Sequence, residues 1–206
     1  MSIALNLKNI HLENFSSWQK TAFAAGLLER MLPNYQMFAD AVAFGDATLL
    51  RNQLDLIWQR LAGHSVKINF DAQLLKLEQQ IPEPEQYDFF GVYPALDCAM
   101  ALMALLQAIQ DKDAEGFTEI GKLSENSVRN FVELELTEQL ANDTTMANFE
   151  LTDAQINAHP LMQWEIETQL ALFELLKKSV ENQATCTQIK ALVLSEGISN
   201  LGIELN

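Results

Sequence analysis

Cysteine, histidine, glycine and proline are all scarce in this 206-residue chain, and each shortage removes a class of function. Two cysteines, Cys98 and Cys186, are too few and too far apart for a disulfide framework or a zinc site. Both are expected to be small buried hydrophobes. The three histidines, His11, His64 and His159, are dispersed, and none belongs to a Glu-x-x-His or His-Glu-x-x-His pattern. No metal ligand and no cofactor is therefore assigned. The glycine-rich loops that cradle phosphate and the G-x-S-x-G nucleophile elbow are absent as well, so no catalytic residue is named. With 8 Gly and 5 Pro, the chain lacks the punctuation of many short strands.

Positive charge is also short. Lys and Arg number 13 against 28 Asp and Glu, a net charge of −15. The imbalance is uneven: residues 1–68 sum to +1 and residues 69–206 to −16. From Asn130 to Leu176 there is no Lys or Arg at all. Such a surface repels phosphate backbones and anionic bilayers, which argues against nucleic-acid and membrane partners. The stretch from Phe89 to Ile109, FFGVYPALDCAMALMALLQAI, is the best membrane candidate. Gly91, Pro94, Asp97 and Gln107 interrupt it before it reaches about 20 apolar residues. The opening MSIALNLKNIHLENF has no basic segment followed by an apolar core, so a cytoplasmic protein is expected.

What is present is a hydrophobic period of 3.6 along nearly the whole chain. A first helix is expected over about 14–31, ended by Pro33, with a short second helix after it. Asp46 should cap a helix with the stripe Leu50, Leu54, Ile57 and Leu61, closed by Gly63. Asn69 or Asp71 should open the next, with Phe70, Leu74, Leu77 and Ile81 inward. An apolar helix over about 94–110 follows, then a weaker one from Asp113 to about Leu140, interrupted by Gly116, Gly121 and a Ser-rich segment. Residues 141–152 read as a loop. Pro160 starts a strong helix with Ile166, Leu170, Phe173, Leu176 and Val180 inward and Glu165 and Glu167 near its start. A last helix spans about 185–196, and the tail SNLGIELN reads as extended. The expectation is an all-α single domain over residues 1–206, with seven to nine helices around the apolar central helix. Residues 82–88, PEPEQYD, are a possible subdomain joint.

The candidate residues each have two readings. If Pro94 is the first helical residue, Asp97 lies one turn in and stabilises the positive end of the helix dipole. Buried in an apolar wall, it would instead have a raised pKa and could serve as a general acid or base. Trp18 and Trp164 read as core residues with satisfied indole N–H groups. Alternatively, Trp18, Tyr35, Tyr93 and Trp164 converge on one ligand pocket, with Arg30 or Asp97 as its polar contact.

Several separated segments, SWQKTAFAAGLLERMLPNYQMF (17–38), FGD (44–46), LDLIW (54–58), NFD (69–71), GVYPALD (91–97), QWEI (163–166) and SNLGI (199–203), resemble the YjaG-like family. That family groups bacterial proteins as a domain of unknown function. The resemblance implies a bacterial, cytoplasmic, all-helical single domain and carries no activity with it. Three classes of function follow. The first is a non-catalytic protein that associates with itself or with another protein. The second is a small-molecule binder with a pocket near Tyr93 and Asp97. The third is an enzyme using carboxylates such as Asp71, Asp88 or Asp97.

Overall fold

The computed structural model describes Leu7, residues 10–142 and residues 151–204. Among these, eight α-helices account for the architecture and no multi-residue strand occurs. Helix α1, Ser17–Val42, opens on a capping box in which Ser16 and Gln19 satisfy each other's backbone N–H groups. It does not stop at Pro33. A proline inside a helix costs about 3 kcal/mol. Burying Tyr35 and Phe38 completely, just past it, returns more than that at about 1.5–3 kcal/mol per large side chain. The Arg30 carbonyl, in the turn before the proline, accepts the N–H of Asn200 from the tail. The two helices expected there are one.

Helix α2 (Ala47–Leu61) is capped by Asp46, buries Leu50, Leu54, Ile57 and Leu61, and ends before Gly63 at φ +89°. Asn69 caps α3 (Phe70–Glu78), which buries Leu77 and leaves Phe70, Leu74 and Ile81 half-buried. Helix α4 is Val92–Asp111, and α5 runs unbroken from Ala114 to Asn142. The small residues that weaken α5 as a sequence are its contact points. Ser124 and Ser127 are buried and bonded to carboxylates, and Gly121 lets Gln169 bond its carbonyl. Of the loop expected at 141–152, residues 143–150 lie outside the described residues.

Thr152 precedes α6 (Asp153–Ala158), and Pro160 is the first residue of α7 (Pro160–Lys178). His159 Nδ1 caps α7 by accepting the N–H of Leu161. Val180 lies past the end of α7 and is 71% exposed, not inward. Glu165 and Glu167 lie beyond the first turn, and Glu165 is fully buried, so the dipole does not explain it. Asn182 caps α8 (Gln183–Val193). The tail is not extended: Ser199 and Ile203 close a turn at Gly202, and Ser199 and Asn200 are buried.

Helix α4 packs between α1, α5 and α3, and α1 reaches α2, α7 and α8 on its other sides. By length and apolarity α4 could cross a membrane. Here Val92, Ala95, Cys98, Ala99, Leu102, Leu105 and Leu106 are buried against its neighbours, the behaviour of a core helix. Both cysteines are free and buried. One large apolar cluster draws on α1 to α5, α7 and α8, and it includes Leu77 and Val92 from either side of residues 82–88. A smaller one joins Val128, Val132, Ile156, Met162, Ile166 and Leu201.

Candidate functional site

Two of the candidate residues meet in the interior. Arg30 on α1 is wholly buried, and its Nη1 donates to Glu165 of α7, also wholly buried. The guanidinium carbon lies 4.1 Å from the centre of the Trp164 ring, so a cation–π contact covers the charge. Glu165 Oε1 accepts from Ser124 Oγ at 2.6 Å and from Gln169 Nε2 at 2.7 Å. Asn200 extends the network from the tail, accepting from Asn34 Nδ2 at 2.7 Å. The cluster therefore joins α1, α5, α7 and the tail. It is sealed from solvent, and the Nε and Nη2 of Arg30 have no partner among the described residues. Its chemistry is that of a structural lock, since an acid–base pair must reach its substrate to turn it over.

Tyr93 and Asp97 lie elsewhere, on the outer face of α4. This helix starts at Val92, two residues before Pro94, with no acid in its first turn. Asp97 is the sixth helical residue, too deep to be a helix-start acid. Its carboxylate is half-buried and accepts the Ser127 hydroxyl at 2.6 Å. Burial pushes its pKa above the usual carboxylate value, opposed by the Ser127 bond. Cys98, the next residue, is pushed up by burial and by the Asp97 charge, which makes it a poor nucleophile.

Before its last turn, where Ile109, Gln110 and Asp111 are also non-buried, α4 leaves Tyr93, Leu96, Asp97, Met100, Met103, Ala104 and Gln107 non-buried, a stripe at helical spacing. Tyr93 is 48% exposed and Met100 40%. Phe90 touches both Tyr93 and Phe131 of α5, at centroid separations of 6.0 and 5.9 Å. One turn beyond Phe131, Leu134 is exposed. The two helices thus present a connected outer strip whose one α4 charge is the hydrogen-bonded Asp97.

The family model for a protein of unknown function, DUF416, matches residues 8–204. The chain belongs to the DUF416 family. It is 36% identical over 197 residues to the uncharacterized protein YjaG of Escherichia coli K12, covering 95% of each chain. The uncharacterized Haemophilus influenzae relative is 35% identical over 198 residues, again with 95% of each chain covered. The crystal structure of a DUF416 family protein from Shewanella baltica superposes with a TM-score of 0.81 at 34% identity, over 94% of this chain and 96% of that one. The all-helical arrangement described here is therefore the DUF416 fold.

Within that fold the remaining candidates have separate duties. The Tyr35 hydroxyl donates to the Gln80 carbonyl at 2.8 Å, and burial raises its pKa. The Trp18 indole donates to the Leu61 carbonyl at 2.9 Å, at the end of α2. Among the described residues no group of three His, Cys, Asp or Glu side chains is placed to hold a metal ion. Sequence reasoning passed over Glu165, Ser124, Ser127, Gln169 and Asn200 as site residues. The available signal was Ser124 and Ser127, poor helix formers three residues apart in a helical segment.

Proposed function

We propose that this protein works by association in the bacterial cytoplasm, pairing with a second copy of itself through the outer strip of α4 and α5. The observation that carries this reading is the exposure of Tyr93 and Met100 on the most apolar helix, continued across Phe131 to Leu134. A strip along one helix matches itself in a two-fold pair, each copy burying the residues the other offers. The half-buried Asp97 already accepts the Ser127 hydroxyl, which offsets part of the cost of covering its carboxylate in a pair.

The remainder of the surface supplies a signature. Two copies of net charge −15 repel at long range, and salt screens that repulsion over about 8 Å at physiological ionic strength. Self-pairing through a mostly apolar strip is therefore expected to tighten with added salt, whereas docking to a basic partner would weaken. Native mass spectrometry and light scattering across concentration test the reading. A dimer that Met100→Glu dissolves, with the helical circular-dichroism signal unchanged, is expected. A monomer at every concentration and salt, or a dimer indifferent to Met100→Glu and Tyr93→Glu, would overturn it.

A further inference from the structure

At the other end of the molecule the start of α1 and the ends of α2 and α4 enclose a cleft of about 300 Å³. Its floor is apolar: Ile57, Leu61, Ala108 and Phe117, all buried. Trp18 forms one wall, held in place by its indole bond to Leu61. Three cations also line it, Lys20, Arg60 and Lys112, and no acid does.

In a chain this acidic, an all-cationic lining is unusual, and pairing sharpens the point. Among the described residues, Arg30, Arg51, Lys122, Arg129, Lys177, Lys178 and Lys190 each have a carboxylate within 4 Å. Lys20, Arg60 and Lys112 have none, nor do Lys67 and Lys76, but those two stand outside this cleft; Asp111 and Asp113 flank Lys112 in sequence without reaching its ammonium. Two other surface depressions, of about 600 and 380 Å³, show the contrast. Their lysines, Lys178 and Lys177, are both engaged by Glu174.

The helix dipoles account for part of this arrangement. Arg60 in the last turn of α2 and Lys112 just past α4 stand where partial negative charge gathers, and cations there need no ligand. Lys20 does not fit that account. It is the fourth residue of α1, in the first turn, where the dipole disfavours positive charge. It is also partly buried, without a counter-ion to offset the cost. A cation held against its own electrostatics beside two others, over an apolar floor, has the form of a binding site.

We propose that this cleft binds a soluble anionic amphiphile, a carboxylate or phosphate ester of an apolar body. The acidic oxygens would sit between Lys20, Arg60 and Lys112, and the apolar part against Trp18, Ile57 and Phe117. The two positive ends of Lys20 and of the α1 backbone then reinforce each other toward the anion.

Isothermal titration of the intact protein with octanoate, octyl phosphate and uncharged octanol tests the assignment. Both anions are expected to bind one per chain and at least about tenfold more tightly than octanol, the worth of one charge-assisted hydrogen bond. Lys20→Gln and Lys112→Gln should each erase most of that advantage. Lys20→Gln should leave the melting temperature unchanged or raised, because it removes an unfavourable charge at a helix start. Equal binding of octanol and the anions, no binding at all, or a Lys20→Gln protein that is destabilised with its affinity intact would overturn the proposal. So would sedimentation with phosphatidylglycerol vesicles in the absence of octanoate and octyl phosphate binding, which would make the cations a membrane contact.

Discussion

Arg30 and Glu165 stand 135 positions apart in the chain and form an ion pair from which water is wholly excluded. Removing one partner of such a pair leaves a charge stranded in the interior, which costs about 3–5 kcal/mol. Glu165→Gln is therefore expected to lower the unfolding free energy in urea by that amount. Replacing both partners by apolar residues, Arg30→Met with Glu165→Leu, should recover more than half of the loss. A Glu165→Gln penalty below about 1 kcal/mol would show that the interior tolerates the lone guanidinium through Trp164 alone.

Asn200 links the same cluster to the tail. Its side chain accepts from Asn34 and donates toward Ser124, while its backbone N–H serves the Arg30 carbonyl. Asn200→Ala keeps the backbone bond and strands the buried Asn34 amide, at a cost of about 1–3 kcal/mol. Hydrogen exchange should then accelerate first in the middle of α1 around Pro33. Acceleration confined to the last six residues would contradict the link.

Two carboxylates should respond to pH in opposite directions. Burial opposes ionisation of Glu29, but Arg51, at 2.6 and 2.9 Å, and Lys190 outweigh it, so its pKa lies below the ordinary 4.5. Its contribution to stability is present above pH 4.5 and lost as pH falls through the depressed folded value. Asp97 has a pKa raised above 3.8, so its ionisation weakens the fold as pH rises through the elevated folded value. Glu29→Gln should thus lower the melting temperature at pH 7 and matter little at pH 3. Asp97→Asn should raise it at pH 7 with no gain at pH 3. Melting curves of the two variants at both pH values check the signs.

Two glycines with positive φ separate strain from contact. Gly45 (φ +73°) follows α1, and a Cβ there would overlap the Tyr35 hydroxyl, which Gln80 holds in place. Gly63 (φ +89°) has open space around it. Gly63→Ala should cost about 1 kcal/mol from the left-handed backbone alone. Gly45→Ala should cost at least about twice that, since it adds a steric conflict to the same strain. Equal penalties in urea unfolding would show that Tyr35 moves aside freely.

Much of this architecture could be read from local pattern. Asp46, Asn69 and Pro160 marked helix starts, the Leu50 to Leu61 stripe marked a buried face, and Gly63 marked a stop. Each works within one or two turns of chain, so no distant partner is needed to see it. Pro33 misled because its local penalty is real but is overridden by the burial of Tyr35 and Phe38. Glu165 was misjudged for a related reason. An acid near a helix start has an adequate local explanation, and its true partner lies 135 residues away.

The candidate site divides along the same line. Tyr93, Asp97, Trp18, Arg30, Tyr35 and Trp164 were marked by chemical type, and of these Arg30 and Trp164 meet in the interior while Tyr93 and Asp97 share the outer face of α4. The Asp97 partner, Ser127, required α5 to lie beside α4. The cleft lined by Lys20, Arg60 and Lys112 required three helix ends to converge. Period, caps and composition determined by themselves that this chain is helical, because those preferences act between near neighbours. Which charges are sealed, which are exposed and which stand together was decided by tertiary packing, because burial and Coulomb interaction depend on distances in space that sequence spacing does not encode.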